Sequence, residues 1–117
     1  MAVKQLIEHC DERGWFKELI RADDDFFEEF GQLSLSAVYR DVVKAWHYHV
    51  EQTDWWYVVY GEVLAAFYDA RSTLLTYKET VTMTLNPNAG IVKVPPGVLH
   101  GYKCKSEYAP MLYVTSK

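Results

Sequence analysis

Short segments rich in β-branched and aromatic residues, separated by glycine, proline, asparagine or aspartate, make up most of this chain. They predict strands at residues 15–19, 32–39, 44–49, 55–60, 63–68, 73–77, 80–85, 91–94 and 111–115. Side chains of these types suit a pleated, half-buried surface, and turns at intervals of about eight to twelve residues are typical of a β-sandwich or a β-barrel. The pattern therefore predicts an all-β fold.

Two turn signals and one helical candidate interrupt this pattern. The Gly-Glu pair at residues 61–62 predicts a tight hairpin between two strands. Residues 86–90, Asn-Pro-Asn-Ala-Gly, predict a second turn, because asparagine and glycine tolerate left-handed backbone angles. Residues 22–30 place three aspartates ahead of three phenylalanines at near-helical spacing. They predict either a short capped helix or, as the favoured interpretation, a turn that packs its phenylalanines on the core.

Length and charge limit the organisation of the chain and its partners. A chain of 117 residues, of which 50% are hydrophobic and 15% aromatic, can bury one core but is too short for two ordinary domains. We therefore expect a single domain over residues 1–117. The net charge of −4 and the lack of any run of lysine or arginine argue against a nucleic-acid partner.

The sequence carries no signal for secretion or for a membrane anchor. The N-terminus has no apolar stretch of signal-peptide length, and the longest apolar run, residues 55–60, is far too short to cross a bilayer. Cys10 and Cys104 lie far apart and have no CxxC spacing, which fits reduced thiols without a chemical role. These features predict a cytoplasmic protein with no membrane partner.

Three histidines and one carboxylate are the strongest candidates for a functional site. His47 and His49 are two residues apart, so on a strand both side chains project to the same side. Asp54 follows at loop spacing, and His100 comes after a Pro-Gly turn, where a barrel could bring it against the first pair. These side chains could hold a metal ion or transfer protons, and the residues alone leave both possibilities open.

The spacing of these residues resembles the two signature motifs of the cupin superfamily. The first motif corresponds to His47-x-His49 followed by Asp54 and Gly61, and the second to Pro-Gly-x-x-His100. The resemblance implies a single cupin-type barrel, the double-stranded β-helix or jelly-roll. It also implies a divalent transition metal (Zn, Fe, Mn or Ni) held by His47, His49, Asp54 and His100, with aspartate where the superfamily usually has glutamate.

A longer resemblance runs from residue 11 to the end of the chain. It rests on Asp-Glu-Arg-Gly-Trp-Phe-Lys-Glu at 11–18, Gln-Leu-Ser-Leu-Ser at 32–36, Ala-Trp-His-Tyr at 45–48, Val-Val-Tyr-Gly-Glu-Val at 58–63, Val-Pro-Pro-Gly-Val-Leu-His-Gly-Tyr at 94–102, and residues 106–109 and 112–113. Sequence, order and spacing are similar to those of dTDP-4-dehydrorhamnose 3,5-epimerases. The resemblance implies a cofactor-free, homodimeric isomerase of carbohydrate or surface-polysaccharide biosynthesis that acts on a nucleotide-linked, dTDP-type keto-deoxysugar.

The same resemblance assigns roles to individual residues. His47 matches the base that removes a proton next to the ketone, Tyr113 matches the general acid on the opposite face of the sugar, and Lys44 stands at the position of an arginine. Phe16 could stack on the nucleotide base, in the same or a neighbouring subunit. The positions that match substrate contacts are Arg13, Phe16, Glu18, Gln32, Ser36 and His100.

The chain departs from that family pattern at several points. Lys44 keeps the charge of the arginine but not its bidentate geometry, Asp54 stands where a cation is usual, and His49 stands where glutamine is usual. The sequence ends at Lys117, before the family segment that supplies the carboxylate partner of the base. We therefore expect Asp54 or another subunit to supply that partner.

Three classes of function follow from these patterns. The first is an epimerase-like enzyme in which His47 is the base and Tyr113 the acid. The second is a metal-dependent small-molecule cupin, either an oxygenase or a metal-assisted isomerase, with three histidines and one carboxylate as ligands. The third is a sugar-binding relative that keeps the pocket without catalysis.

Overall fold

The computed structural model describes residues 1–117 and consists of strands, turns and loops. The strands are β1 (Ala2–Lys4), β2 (Glu8–Asp11), β3 (Gly14–Lys17), β4 (Gln32–Tyr39), β5 (Val43–His47), β6 (Asp54–Val58), β7 (Val63–Asp69), β8 (Thr80–Leu85), β9 (Ile91–Val94), β10 (Val98–Cys104) and β11 (Tyr108–Thr115). A five-stranded sheet has the order β1-β9-β6-β11-β4 and a four-stranded sheet the order β5-β10-β7-β8, while β2 and β3 pair only with each other. All pairs are antiparallel. The predicted all-β jelly-roll fold is confirmed. No segment of the chain forms a helix of the length and apolar character needed to cross a membrane.

Side chains from both large sheets meet in one core between them. Its buried members are Val38, Trp56, Val58, Val63, Ala65, Phe67, Leu85, Val92, Val94, Val98, Cys104, Ala109 and Met111. Full burial of a large apolar side chain contributes about 1.5–3 kcal/mol. This core therefore holds the two sheets face to face and sets the width of the space between them.

Residues 22–30 form turns that cover the outer face of the five-stranded sheet. The ring of Phe27 lies 4.9 Å from that of Trp55, and the indole nitrogen of Trp55 donates a hydrogen bond to the Phe26 carbonyl at 3.2 Å. The carboxylate of Asp24 accepts hydrogen bonds from the Arg21 amide and from Lys4, each at 2.7 Å. Because such side-chain bonds compete with helical ones, the favoured interpretation as a packing turn is right and the helical alternative is wrong.

The predicted hairpin at residues 61–62 is wrong. Strands β6 and β7 lie in different sheets, so the connection carries the chain from one sheet to the other. Gly61 has φ of +80° and packs so closely that a Cβ there would collide with the Tyr108 carbonyl. The turn at residues 86–90 is confirmed, with the Ala89 amide donating to the Asn86 carbonyl at 3.0 Å, and it also joins the two sheets.

The strand predicted at residues 73–77 is wrong as well, because Asp69 organises this stretch into turns between β7 and β8. Asp69 accepts hydrogen bonds from the Arg71 amide at 2.9 Å, from the Arg71 guanidinium at 2.7 Å and from the Thr76 hydroxyl. The guanidinium holds the pKa of the Asp69 carboxyl well below its usual range. The β-prone residues of this segment therefore lie in a surface turn instead of a sheet.

The sequence does not predict strands β1, β2 and β10. The last of these carries His100 and also contains Gly101, which weakens its β signal. The glycine is needed because β5 passes close by: a Cβ at Gly101 would lie 2.6 Å from that of Ala45. The close approach of these two strands brings their histidines together.

Candidate active site

A cavity of about 300 Å³ lies between the two large sheets. Its lining is polar and aromatic, and comes from both sheets and from the connection between β5 and β6. The lining residues are Ser36, Lys44, His47, His49, Gln52, Asp54, Trp56, His100, Gly101, Tyr102, Met111 and Tyr113.

Three histidines gather on one side of this cavity. His47 ends β5 and pairs directly with His100 of β10, so their ring centroids are 6.1 Å apart. His49 lies beyond the end of β5, where its carbonyl accepts a hydrogen bond from the Gly97 amide at 2.9 Å, so the predicted strand at 44–49 is too long. Its ring still reaches the cavity, with the centroid 5.3 Å from that of His100.

Asp54 places a buried carboxyl group beside the histidines. Asp54 is 5% exposed. Its Oδ1 accepts a hydrogen bond from Gln52 Nε2 at 2.8 Å, and its Oδ2 accepts one from Trp56 Nε1 at 3.4 Å. His49 Nε2 lies 4.0 Å from Oδ2 of Asp54. Because a buried carboxyl group is costly without such partners, these donors stabilise Asp54 and fix its orientation.

The surroundings of His100 determine which form of its ring faces the cavity. Its Nδ1 donates a hydrogen bond to the Val98 carbonyl at 3.0 Å, since a carbonyl oxygen can only accept. Burial lowers the pKa of His100 below its ordinary value, so the ring is neutral at neutral pH. With the proton on Nδ1, the lone pair is on Nε2. His100 can therefore accept a hydrogen bond or ligate a metal there.

A second group of lining residues is formed by Ser36, Lys44, Tyr102 and Tyr113. Tyr102 pairs with Lys44 across β10 and β5, just as His100 pairs with His47. Lys44 Nζ donates a hydrogen bond to the Ala37 carbonyl at 3.3 Å. Tyr113 comes from β11 of the opposing sheet, so it faces the strands that carry His47 and Lys44. Trp56 separates the two groups, with its ring centroid 5.2 Å from that of His100 and 5.7 Å from that of Tyr102.

Four sequence-predicted substrate contacts lie outside the cavity lining. Arg13 and Phe16 are on the exposed hairpin of β2 and β3, where Arg13 pairs with Asp11 at 2.5 Å. Glu18 follows this hairpin and is also exposed. Gln32 opens β4, and its Nε2 donates to the Ser34 hydroxyl at 2.9 Å. Within one chain, the structure brings Lys44, Ser36, His100 and Tyr113 to His47, but not these four residues.

Four residues that line the cavity are not predicted as site residues from the sequence: Gln52, Trp56, Tyr102 and Met111. Trp56 is two residues after Asp54, and Tyr102 is two residues after His100. On a strand, that spacing puts both members of each pair on the same face. The period of two could therefore have identified both aromatic residues once Asp54 and His100 had been chosen.

The jelly-roll of two antiparallel sheets and its histidine- and tyrosine-lined cavity define a protein of the cupin type with a site suited to proton transfer. The chain belongs to the dTDP-4-dehydrorhamnose 3,5-epimerase family, whose sequence model matches residues 2–117. The resemblance recognised in the sequence is thereby confirmed, and the family indicates isomerase activity of the epimerase type on a dTDP-linked sugar.

Individual relatives agree with this assignment. The chain is 41% identical over 106 residues to the spore coat polysaccharide biosynthesis protein SpsL of Bacillus subtilis, covering 90% of this chain and 70% of SpsL. A dTDP sugar isomerase from Desulfovibrio desulfuricans superimposes with a TM-score of 0.90 at 26% identity, covering 98% of this chain and 75% of that one. The epimerase RmlC of Legionella pneumophila, solved with dTDP-4-keto-L-rhamnose, gives a TM-score of 0.88 at 26% identity, with coverages of 97% and 64%.

Proposed function

We propose that this protein epimerises a dTDP-linked keto-deoxysugar in carbohydrate or surface-polysaccharide biosynthesis, by removing a proton next to the ketone. One observation carries the proposal: a histidine and a tyrosine, His47 and Tyr113, line one cavity from opposing sheets. A base and an acid on opposite sides of a bound sugar are what inversion of a carbon requires. A cytoplasmic location and a single domain over residues 1–117 stay predictions.

Each step of the reaction corresponds to one residue of the cavity. His47 takes the proton from the carbon beside the ketone, the electrons of that C–H bond form a carbon–carbon double bond, and the ketone oxygen becomes the enolate oxygen. Lys44 supplies positive charge to the developing anion. Tyr113 then delivers a proton to the other face of the carbon, which re-forms the ketone with the centre inverted. These groups need no cofactor for proton transfer.

The test of this proposal is the uptake of deuterium from heavy water. When the protein is incubated with dTDP-4-keto-6-deoxyglucose, we expect deuterium at a carbon next to the ketone, because the exposed His47 exchanges its proton with solvent. Mass spectrometry counts the deuterons and proton NMR identifies the carbon. Tight binding of the nucleotide sugar without any exchange would instead support the sugar-binding relative without catalysis.

We also propose that a second copy of the chain completes the nucleotide site. Within one chain, Trp15 and Phe16 of the β2–β3 hairpin are 64% and 59% exposed, and Ile7, directly before β2, is 71% exposed. The edge strand β4 exposes Leu33 and Leu35 in the same way. The radius of gyration is 14.5 Å, against about 13 Å for a compact chain of this length. An apolar hairpin and an uncovered sheet edge on one molecule favour pairing in a homodimer.

Mixing two inactive variants tests this shared site. The His47→Gln variant and the Arg13→Ala/Phe16→Ala double variant are each expected to lose activity. If one subunit supplies His47 and its partner the hairpin, each mixed dimer has one intact site, so an equal mixture regains about a quarter of wild-type activity. Activity that stays at the level of the separate variants, in a mixture shown by native mass spectrometry to contain mixed dimers, would place both residues in the site of one subunit.

A second candidate function is that of a metal-dependent cupin. The observation that favours it is that ligand atoms of His49, Asp54 and His100 all lie within 4.8 Å of one another. Two imidazoles and a carboxylate suit Zn, Fe, Mn or Ni, and the hydrogen bond from His100 Nδ1 to the Val98 carbonyl orients the ring, as such bonds do for metal-ligating histidines. His47 lies outside this cluster, which narrows the four-residue set expected from the sequence. A bound metal would polarise a carbonyl oxygen of the substrate.

This metal site can be tested without an activity assay. For a metal-dependent cupin, calorimetric titration of the chelator-treated protein with Zn²⁺ or Mn²⁺ is expected to show about one bound ion per chain. Asp54→Asn should then abolish that binding, because the amide cannot supply a negative charge to the metal. His9→Ala, which alters an exposed histidine on the hairpin, is the control and should bind normally. No saturable binding by the wild-type protein would remove this candidate.

A further inference from the structure

Tyr102 lies in the cavity but has no part in proton transfer between His47 and Tyr113. It occupies the middle of β10, paired with Lys44 of β5 on one side and Ala65 of β7 on the other. The edge of the Trp56 ring packs against it, at 5.7 Å between centroids and an interplanar angle of 79°. The aromatic ring of Tyr102 is therefore held in place while its side chain lines the cavity.

The hydroxyl of Tyr102 is prepared to donate a hydrogen bond. Ser36, on the opposing five-stranded sheet, lines the same cavity as Tyr102, so the two side chains share the space between the sheets. A phenol hydroxyl has one proton that it can donate. The phenol oxygen can accept a hydrogen bond at the same time, so its proton stays available for a ligand.

The charges around the cavity indicate where an enolate oxygen can lie. Asp54 places a carboxyl group among the histidines, where a second negative charge would be repelled. Lys44, the lysine of the cavity, is the register partner of Tyr102. The favourable position for a developing negative charge is therefore beside Lys44 and Tyr102, away from Asp54.

We propose that Tyr102 donates a hydrogen bond to the ketone oxygen of the bound sugar and, together with Lys44, stabilises the enolate. This inference rests on the proposed epimerase function and adds a substrate-contacting residue to it. The proposal also explains why the cavity has two phenols. Tyr113 delivers its proton to a carbon of the sugar, and the same hydroxyl cannot donate a hydrogen bond to the ketone oxygen at that moment. A hydrogen-bond donor aimed at developing charge acts mainly in the transition state.

The variant that isolates this hydrogen bond is Tyr102→Phe, which removes only the hydroxyl. We expect deuterium exchange to slow on the order of 10²-fold, with little change in KM. Tyr60→Phe is the matched control, because Tyr60 is 65% exposed and lies outside the cavity. Ser36→Ala, which leaves the phenol in place, should have a smaller effect. Exchange by Tyr102→Phe at the wild-type rate would overturn the proposal.

A spectroscopic measurement tests the same contact independently of turnover. When the keto carbon of the dTDP-sugar is labelled with ¹³C, a hydrogen bond to its oxygen moves the carbon resonance downfield on binding. We expect this shift in the wild-type protein and in Tyr60→Phe, and its loss in Tyr102→Phe. If the wild-type protein shows the shift, Tyr102→Phe loses it and neither protein exchanges deuterium, the epimerase function fails and the Tyr102 contact stands. If the shift is equal in all three proteins, the Tyr102 contact fails, whatever the exchange rates.

Discussion

Replacement of His47 by glutamine is expected to slow deuterium exchange into the dTDP-keto sugar by about 10²–10⁴-fold, the usual contribution of a general base. Glutamine keeps a polar side chain of similar length but cannot take up a proton at neutral pH. The substitution should leave the fold intact, because His47 is an exposed residue at the end of β5. Affinity for dTDP should be nearly unchanged, which can be measured by calorimetry on the same sample.

The two candidate functions predict different results for the neighbouring histidine. In the proton-transfer mechanism, His49→Gln retains most of the exchange activity, because its ring faces Asp54 and His100 and is not the base. In the metal-dependent mechanism, His49→Gln loses activity together with the bound metal. If His47→Gln exchanged deuterium at the wild-type rate, His47 would not be the base, and the proposed mechanism would be wrong.

The largest loss of stability is expected for Trp56→Ala. The Trp56 side chain is almost fully buried, packs on Phe67 at 5.6 Å between ring centroids, and touches the rings of both His100 and Tyr102. Truncation of a buried tryptophan leaves a cavity and lowers the free energy of unfolding by about 3–5 kcal/mol. Its indole nitrogen also donates to Asp54, so the variant leaves that carboxyl group with one donor fewer.

Urea unfolding followed by circular dichroism measures this loss. Trp46→Ala is the matched control, because Trp46 is 54% exposed on β5. Its free energy of unfolding should change by no more than about 0.5 kcal/mol. A loss in Trp56→Ala as small as that expected for Trp46→Ala would show that the packing of Trp56 between the sheets does not stabilise the fold.

Local sequence pattern predicts most of the strands but not how they are connected. Strands β4, β8 and β9 have the predicted bounds, because each is an uninterrupted β-prone run between turn residues. The hairpin predicted at Gly61 is wrong, because a glycine in a hairpin and a glycine in a crossing between two sheets look the same in the sequence. The segment at 73–77 has β-prone residues, but Asp69, at the end of β7, holds it in turns through hydrogen bonds from Arg71 and Thr76.

Some features of the candidate site can likewise be predicted from local sequence pattern, and others cannot. The spacing of His47, His49 and His100 predicts that they converge, because strand alternation and a Pro-Gly turn are local properties. The hydrogen bonds that orient Asp54 and the pairing of Tyr102 with Lys44 depend on strand register, which no single segment specifies. Arg13 and Phe16 lie outside the cavity of their own chain, and no local pattern in the sequence indicates how far they lie from His47.

The cavity is lined partly by residues on paired strands and partly by residues on a loop. His47 and Tyr113 are borne by strands whose backbones are paired with neighbours, so moving either one would disturb a sheet. His49 and Gln52 lie on the connection between β5 and β6, where insertions and substitutions are tolerated more easily. The loop-borne residues, and with them the preference for a sugar or an ion, can therefore change while the positions of the proposed proton-transfer pair stay fixed.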